Sequence, residues 1–320
     1  MMIKIWIIAG LLCLVDNAKA AINNNRDIDP LKSAVVAVID TGADISHKAL
    51  KSYIWVNEGE SGVDTEGRDK ATNGIDDDDN GFVDDIHGWN FVSNNNDVTD
   101  RIGHGTHISG IIKSEFNSRP AAVGAAKLKL MILKYYDARS TDKENIENTV
   151  KAIEYASRMG ARIVNYSGGG SLPSLPERAA IEKARDNGIA FIAAAGNNRM
   201  NTDFQKYYPA NYPLENIISV AATGSDGELE TFSNFGEKSV DLAAPGKSVY
   251  STLPNNTYGF LSGTSQATAF VSGAAARLVA DTSQTLSPKM LLSKLLAESR
   301  FNKSLQGKTK FQLAMLGGPK

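Results

Sequence analysis

Three short segments, far apart in the chain, carry side chains that together could move a proton and attack a carbonyl. They are Asp40 in Val38-Ile39-Asp40-Thr41-Gly42, His104 in Gly103-His104-Gly105-Thr106-His107, and Ser265 in Ser262-Gly263-Thr264-Ser265-Gln266-Ala267. A serine hydroxyl is a weak nucleophile until a base takes its proton, and histidine is the side chain best suited to that task near neutral pH. An aspartate behind the imidazole would hold its tautomer and stabilise its charged form. Each residue alone has an ordinary reading: a serine at a helix start caps it, and an aspartate after a strand turns the chain. Their joint occurrence points to acyl transfer through a serine ester, with glycines flanking the histidine and the serine where backbone must turn tightly or leave room.

The elements that must position them alternate short β-rich runs with helical periodicity, the pattern of an α/β fold with a mostly parallel central sheet and helices on both faces. Strands are expected at Ala34 to Ile39, Leu128 to Lys134, Arg162 to Tyr166, Ile189 to Ala195 and Ile217 to Ala221. The first delivers Asp40 to its end. Thr141 with Glu144 forms a capping box for a helix whose apolar face includes Ile146, Val150 and Ile153. Pro176 suits the first turn of the next helix and Gly188 its end. An Ala-rich run from Ser265 to Ala280 reads as a buried helix that begins at the serine, and Ser287-Pro288 opens a last helix.

At 320 residues, 42% hydrophobic and 22% charged, the chain has the composition of one large globular domain. A net charge of −2 gives no electrostatic case for nucleic acid or an anionic membrane surface. Residues 1–20 read as a secretory signal, with Lys4 at the start, an apolar stretch Ile5 to Val15 and the small-x-small pattern Ala18-Lys19-Ala20. That stretch is short for a membrane span, so no stable anchor is expected and the destination is a periplasm or the medium. Cys13, the sole cysteine, lies inside the signal, so the mature chain would form no disulfide. Residues 21–33 make a short segment with no room for a pro-domain, residues 34–320 form the remaining unit, and a monomer is expected.

The three segments resemble, position by position, the motifs of the subtilase family of subtilisin-like serine proteases, as does Ala194-Ala195-Gly196-Asn197. The resemblance runs from about Val35 to about Ala276 and implies a three-layer subtilisin-like fold and hydrolysis of protein or peptide substrates. It assigns Asp40, His104 and Ser265 to the triad and Asn197, rather than its neighbour Asn198, to the oxyanion. It also implies that Ser167, Gly168, Gly169 and Gly170 form the strand beside which an extended substrate lies, with Ala195 and Gly196 on the opposite wall. No acidic residue stands in these pocket segments, which disfavours Lys or Arg before the scissile bond. The chain departs from the pattern at Gln266 and Ala269, where the family usually has Met and Pro, and at Gly168, where it often has an apolar residue.

Asn73 to Asp85 concentrates carboxylates around two Asn-Gly turns. Read as a calcium loop, Asp76, Asp78 and Asn80 take alternating oxygen positions, Gly81 turns sharply and Phe82 offers a carbonyl. Asp84 or Asp85 must then close the shell, as in similar acidic insertions of secreted subtilases. A solvated acidic loop is the alternative. His104 and His107 do not make a zinc pair, because the two-histidine helix motif needs spacing i, i+4 and a glutamate. Two other readings of the whole chain stay open: a catalytically silent binding protein on the same fold, against which the intact triad argues, and an ester hydrolase, against which the peptide-adding strand argues.

Overall fold

A computed structural model describes residues 33–119, 127–282 and 284–315. The proposed signal, with Cys13, and the tail from Leu316 lie outside the described residues, as does all of the 21–33 segment except Ser33. Among the described residues eleven strands are present: β1 (Ser33–Asp40), β2 (Gly88–Asn90), β3 (Lys127–Lys134), β4 (Ile163–Tyr166), β5 (Ala190–Ala194), β6 (Ile217–Thr223), β7 (Leu242–Pro245), β8 (Val249–Leu253), β9 (Thr257–Leu261), β10 (Arg300–Phe301) and β11 (Leu313–Ala314). Among the same residues five α-helices accompany them: α1 (His104–Phe116), α2 (Asp142–Arg158), α3 (Leu175–Asp186), α4 (Thr264–Ala280) and α5 (Pro288–Glu298). The five strands expected from sequence are β1, β3, β4, β5 and β6, with ends displaced by no more than two residues.

Nine strands form one sheet in the order β10-β11-β7-β6-β5-β4-β1-β3-β2, and β8 with β9 makes a separate antiparallel hairpin. All neighbours in the large sheet are parallel except β10 with β11. A parallel strand covered on both faces reads as a continuous apolar run, and β1 does so. Its Val36 and Val38 enter one core with Ile108 and Ile112 of α1 and Val271 of α4. Its Val35, Ala37 and Ile39 enter the other with Ile153 and Tyr155 of α2 and Ile181 of α3. Helices therefore cover both faces, as the alternating sequence pattern requires.

Local signals set the helix starts. Thr141 and Glu144 close the expected capping box at α2. Ser174 and Ser287 accept the N–H groups of Glu177 and Met290 at the starts of α3 and α5, each followed by a proline in the first turn. Among the described residues, no helix is long and apolar enough to cross a membrane.

Candidate active site

The carboxyl ends of the central strands form the edge where the sequence-selected side chains gather. Ile39 of β1 pairs with Tyr166 of β4, so Asp40 and Ser167 follow one another across neighbouring strand ends. Asp40 is 2% exposed and accepts Thr41 N–H at 2.8 Å. Its Oδ1 also lies 2.7 Å from His104 Nδ1. Beside a carboxylate Nδ1 carries the proton, which leaves Nε2 of the neutral ring as the acceptor.

His104 is the first residue of α1, and the helix is pressed onto the end of β1. A Cβ built on Gly105 would lie 2.1 Å from the Gly42 carbonyl and 3.1 Å from Asp40, so only glycine permits the approach. Asp100, which the sequence did not single out, fixes this junction. Its buried carboxylate accepts the N–H of Gly103 at 2.7 Å, the N–H and hydroxyl of Thr106 at 2.9 and 2.7 Å, and the Thr41 hydroxyl at 2.9 Å. Thr41 Oγ1 in turn accepts Gly105 N–H at 2.9 Å. An anion thus satisfies donors at the positive end of α1, immediately around His104. Burial works against protonation of His104, but the adjacent Asp40 and the nearby Asp100 outweigh it and hold the pKa above the ordinary histidine value.

Ser265 stands in the first turn of α4 and is 7% exposed. Its hydroxyl donates to the Ser167 carbonyl at 3.1 Å, and among the described residues no hydrogen bond joins it to His104. Rotation about its Cα–Cβ bond is the motion that would change this partner. Asn197 follows β5, and its Oδ1 accepts the N–H and hydroxyl of Thr264 at 2.9 and 3.0 Å. That fixes the amide with its NH₂ turned elsewhere, 3.5 Å from where a Cβ on Gly263 would stand. The Ser265 N–H lies 3.7 Å from that same point, so the Asn197 NH₂ and this one backbone N–H are donors beside a common space at the start of α4. Gly196 N–H donates to Thr264 Oγ1 at 3.2 Å, which ties the Ala195-Gly196 wall to the same helix end.

His107 faces away from this chemistry. Its Nε2 lies 3.0 and 3.2 Å from the carbonyls of Val249 and Gly259 in the hairpin, and burial lowers its pKa. Gln266 and Ala269, two of the three departures from the family pattern, are buried in α4.

In the acidic segment the expected ligands divide. Asp76 accepts the N–H groups of Asn80 and Gly81 at 3.0 and 2.7 Å, and Asp84 accepts Gly74 N–H at 3.1 Å. Asn80 donates its amide to Asp85 at 2.9 Å and accepts Phe82 N–H at 2.8 Å, while the Phe82 ring packs edge-on against Trp89 and Tyr155. Carboxylate oxygens of Asp78, Asp85 and Glu60 converge within 4.8 Å of one another. Glu60 was not selected from sequence because it precedes the acidic run. It is fully buried, its Oε1 accepts Asp77 N–H at 2.8 Å, and its Oε2 has no hydrogen-bond partner. Burial, with the charges of Asp85, Asp78 and Asp77, pushes its pKa up to about 7. A buried carboxylate oxygen without a donor, facing two more carboxylates, fits a hard cation with oxygen ligands.

The model of the subtilase family matches residues 32–312. Thermophilic serine proteinase from Bacillus sp. (strain AK1) is 35% identical over 76% of this chain and 51% of its own length. Subtilisin-like protease 2 of Plasmodium falciparum is 31% identical over 77% of this chain and 17% of its own. The chain therefore spans about half, or less than a fifth, of these two relatives. A crystal structure of a cold adapted subtilisin-like serine proteinase superimposes with a TM-score of 0.68 at 24% identity, covering 93% of each chain, and this likeness speaks to the fold.

Proposed function

The chain belongs to the subtilase family, and on that premise we propose that it is an exported serine endopeptidase with residues 34–320 as its catalytic unit. The observation that carries the reading is the 2.7 Å contact of His104 with the buried Asp40, at the same strand edge as Ser265. Ser265 turns its hydroxyl from the Ser167 carbonyl to His104 Nε2, loses its proton there and attacks the peptide carbonyl. Asp40 stabilises the imidazolium. The NH₂ of Asn197 and the N–H of Ser265 receive the negative charge on the carbonyl oxygen. His104 returns the proton to the leaving amine and the acyl ester remains on Ser265. A water molecule, deprotonated by His104, then releases the acid and restores the hydroxyl.

The substrate lies extended beside Ser167, Gly168, Gly169 and Gly170, with Ala195 and Gly196 across from them, and its backbone adds to the strand edge. The secretory pattern of residues 1–20 supports export. Calcium would be held by Glu60, Asp78 and Asp85, where it supplies charge neutralisation to a structural cluster and no step of the reaction. Labelling with a serine-directed phosphonate tests the reading: one adduct on Ser265, absent in Ser265→Ala and in His104→Ala, is expected. An unlabelled folded wild-type protein would overturn it.

A further inference from the structure

Both pocket segments are tied to the start of α4. Ser167 accepts the Ser265 hydroxyl, Gly196 bonds to Thr264, and the strands that carry these segments, β4 and β5, are parallel neighbours. The slot between them is where the side chain preceding the scissile bond would enter. The edge of the Tyr207 ring lies beside a glycine of each segment. A Cβ built on Gly169 would stand 2.5 Å from Tyr207 Cε1 and 3.0 Å from Cζ, and one on Gly196 would stand 3.0 Å from both atoms. The same ring edge therefore lies against both walls, and neither Gly169 nor Gly196 could carry a side chain while it is there.

Tyr207 is not free to withdraw by backbone motion. Its N–H donates to Asn211 Oδ1 at 2.7 Å and its carbonyl accepts Asn211 N–H at 3.0 Å. On its other side Tyr208 and Gly170 exchange two backbone hydrogen bonds, of 2.7 and 2.9 Å. Gly168 is glycine for a related reason: a Cβ there would lie 2.2 Å from the Tyr135 hydroxyl and 3.1 Å from that of Tyr166. Aromatic rings hold the volume that pocket side chains would otherwise define.

We propose that Tyr207 is a specificity-determining residue that shortens this pocket, so that the enzyme accepts small side chains before the scissile bond and rejects large apolar and aromatic ones. This rests on the endopeptidase reading. The test uses tetrapeptide anilides identical except for Ala, Leu or Phe at that position, with wild type, Tyr207→Gly and Tyr207→Phe. A hydrophobic pocket discriminates by about 10- to 200-fold per misfitting group, so wild-type kcat/KM should favour Ala over Phe by at least about tenfold. Tyr207→Gly should reverse that preference, and Tyr207→Phe, which keeps the ring, should retain it. A wild-type preference for Phe overturns the proposal without any variant, as does an unchanged Ala-to-Phe ratio in folded Tyr207→Gly. Labelling by a small alkyl phosphonofluoridate, which needs no pocket, separates the two readings. Label on Ser265 with the wrong ratio overturns the pocket assignment alone, whereas absence of both label and turnover in wild type overturns both.

Discussion

His104 receives opposing influences whose balance sets a measurable pH limit. Burial favours the neutral ring, whereas Asp40 at 2.7 Å and Asp100 favour the charged one and prevail, so the pKa lies above the ordinary value of about 6.5. A protonated ring cannot take the Ser265 proton, so kcat/KM should fall as pH drops through this ionisation, with a midpoint above about 6.5. The linkage to stability has the opposite sign. A raised histidine pKa stabilises the fold fully below its unfolded value, and that contribution is lost as pH rises through the folded one, so activity is gained as this stabilisation goes. Asp40→Asn should lower the midpoint and reduce kcat by about 10⁴-fold, because the wrong tautomer is held. Profiles with an uncharged peptide anilide check this, and an acid optimum would contradict the assigned base. The triad and Asn197 could be read from sequence because motif and glycine spacing travel with them. Asp100 could not, since its role depends on a helix start folding back over it, and Tyr207 meets Gly169 and Gly196 only in three dimensions.

The start of α3 shows how one element carries its own pH dependence. Glu177 stands in the first turn, 4% exposed, and burial pushes its pKa up to about 7 against the opposing hydrogen bond from Tyr212. The Tyr212 hydroxyl has one proton, and two acceptors lie within reach: Glu177 Oε2 at 2.9 Å and the Ser174 carbonyl at 3.0 Å. With the folded value above that of the unfolded chain, the native state binds the extra proton between about pH 4.5 and 7, and stability falls as pH rises across that window. Glu177→Gln removes the titration. Its melting temperature relative to wild type should be higher at pH 8 than at pH 5 by about 5 °C. Equal differences at both values, measured by calorimetry, would mean that Glu177 does not titrate in this window. Elements with strong local signals were legible, such as the apolar run of β1 and the box of Thr141 with Glu144. The β8–β9 hairpin was not. Its strands are only partly buried, its turn uses Asn255 and Asn256 at φ 63° and 58°, and Ser251 and Thr252 spend their hydroxyls on the carbonyls of His107 and Thr106. The polar residues that break the alternation are those that bind the hairpin to α1.

For the whole molecule stability rests on the apolar cores packed on either face of the sheet, and the acidic cluster beside one of them adds to it only through a bound cation. Cys13 is the only cysteine, so the chain can form no internal disulfide. Glu60, Asp78 and Asp85 come from two loops, and Asp85 also accepts hydrogen bonds from Asn57, Asn80 and Tyr155 of α2. Arg158, also of α2, donates to the Asn80 carbonyl. A cation at the convergence point would therefore fasten both loops to a helix of the main fold, and it would offset the repulsion among the three carboxylates. Binding to the native state alone stabilises it by mass action, by about 4 kcal/mol at a thousandfold excess over Kd. For a domain of this size that corresponds to a rise of about 10 °C in Tm. Excess calcium should raise Tm by this order relative to chelator, with little change in kcat of the folded fraction, because the cluster contributes no group to the Ser265 site. Glu60→Gln and Asp78→Asn should each remove the calcium-dependent rise while leaving a folded protein, since both substitutions also relieve repulsion. Equal melting of wild type with calcium and with chelator would leave the solvated-loop reading in place. A calcium shift that survives in both variants would move the ion away from Glu60 and Asp78, and the stabilising link between the acidic loop and α2 would then rest on the hydrogen bonds of Tyr155 to Asp85 and of Arg158 to the Asn80 carbonyl.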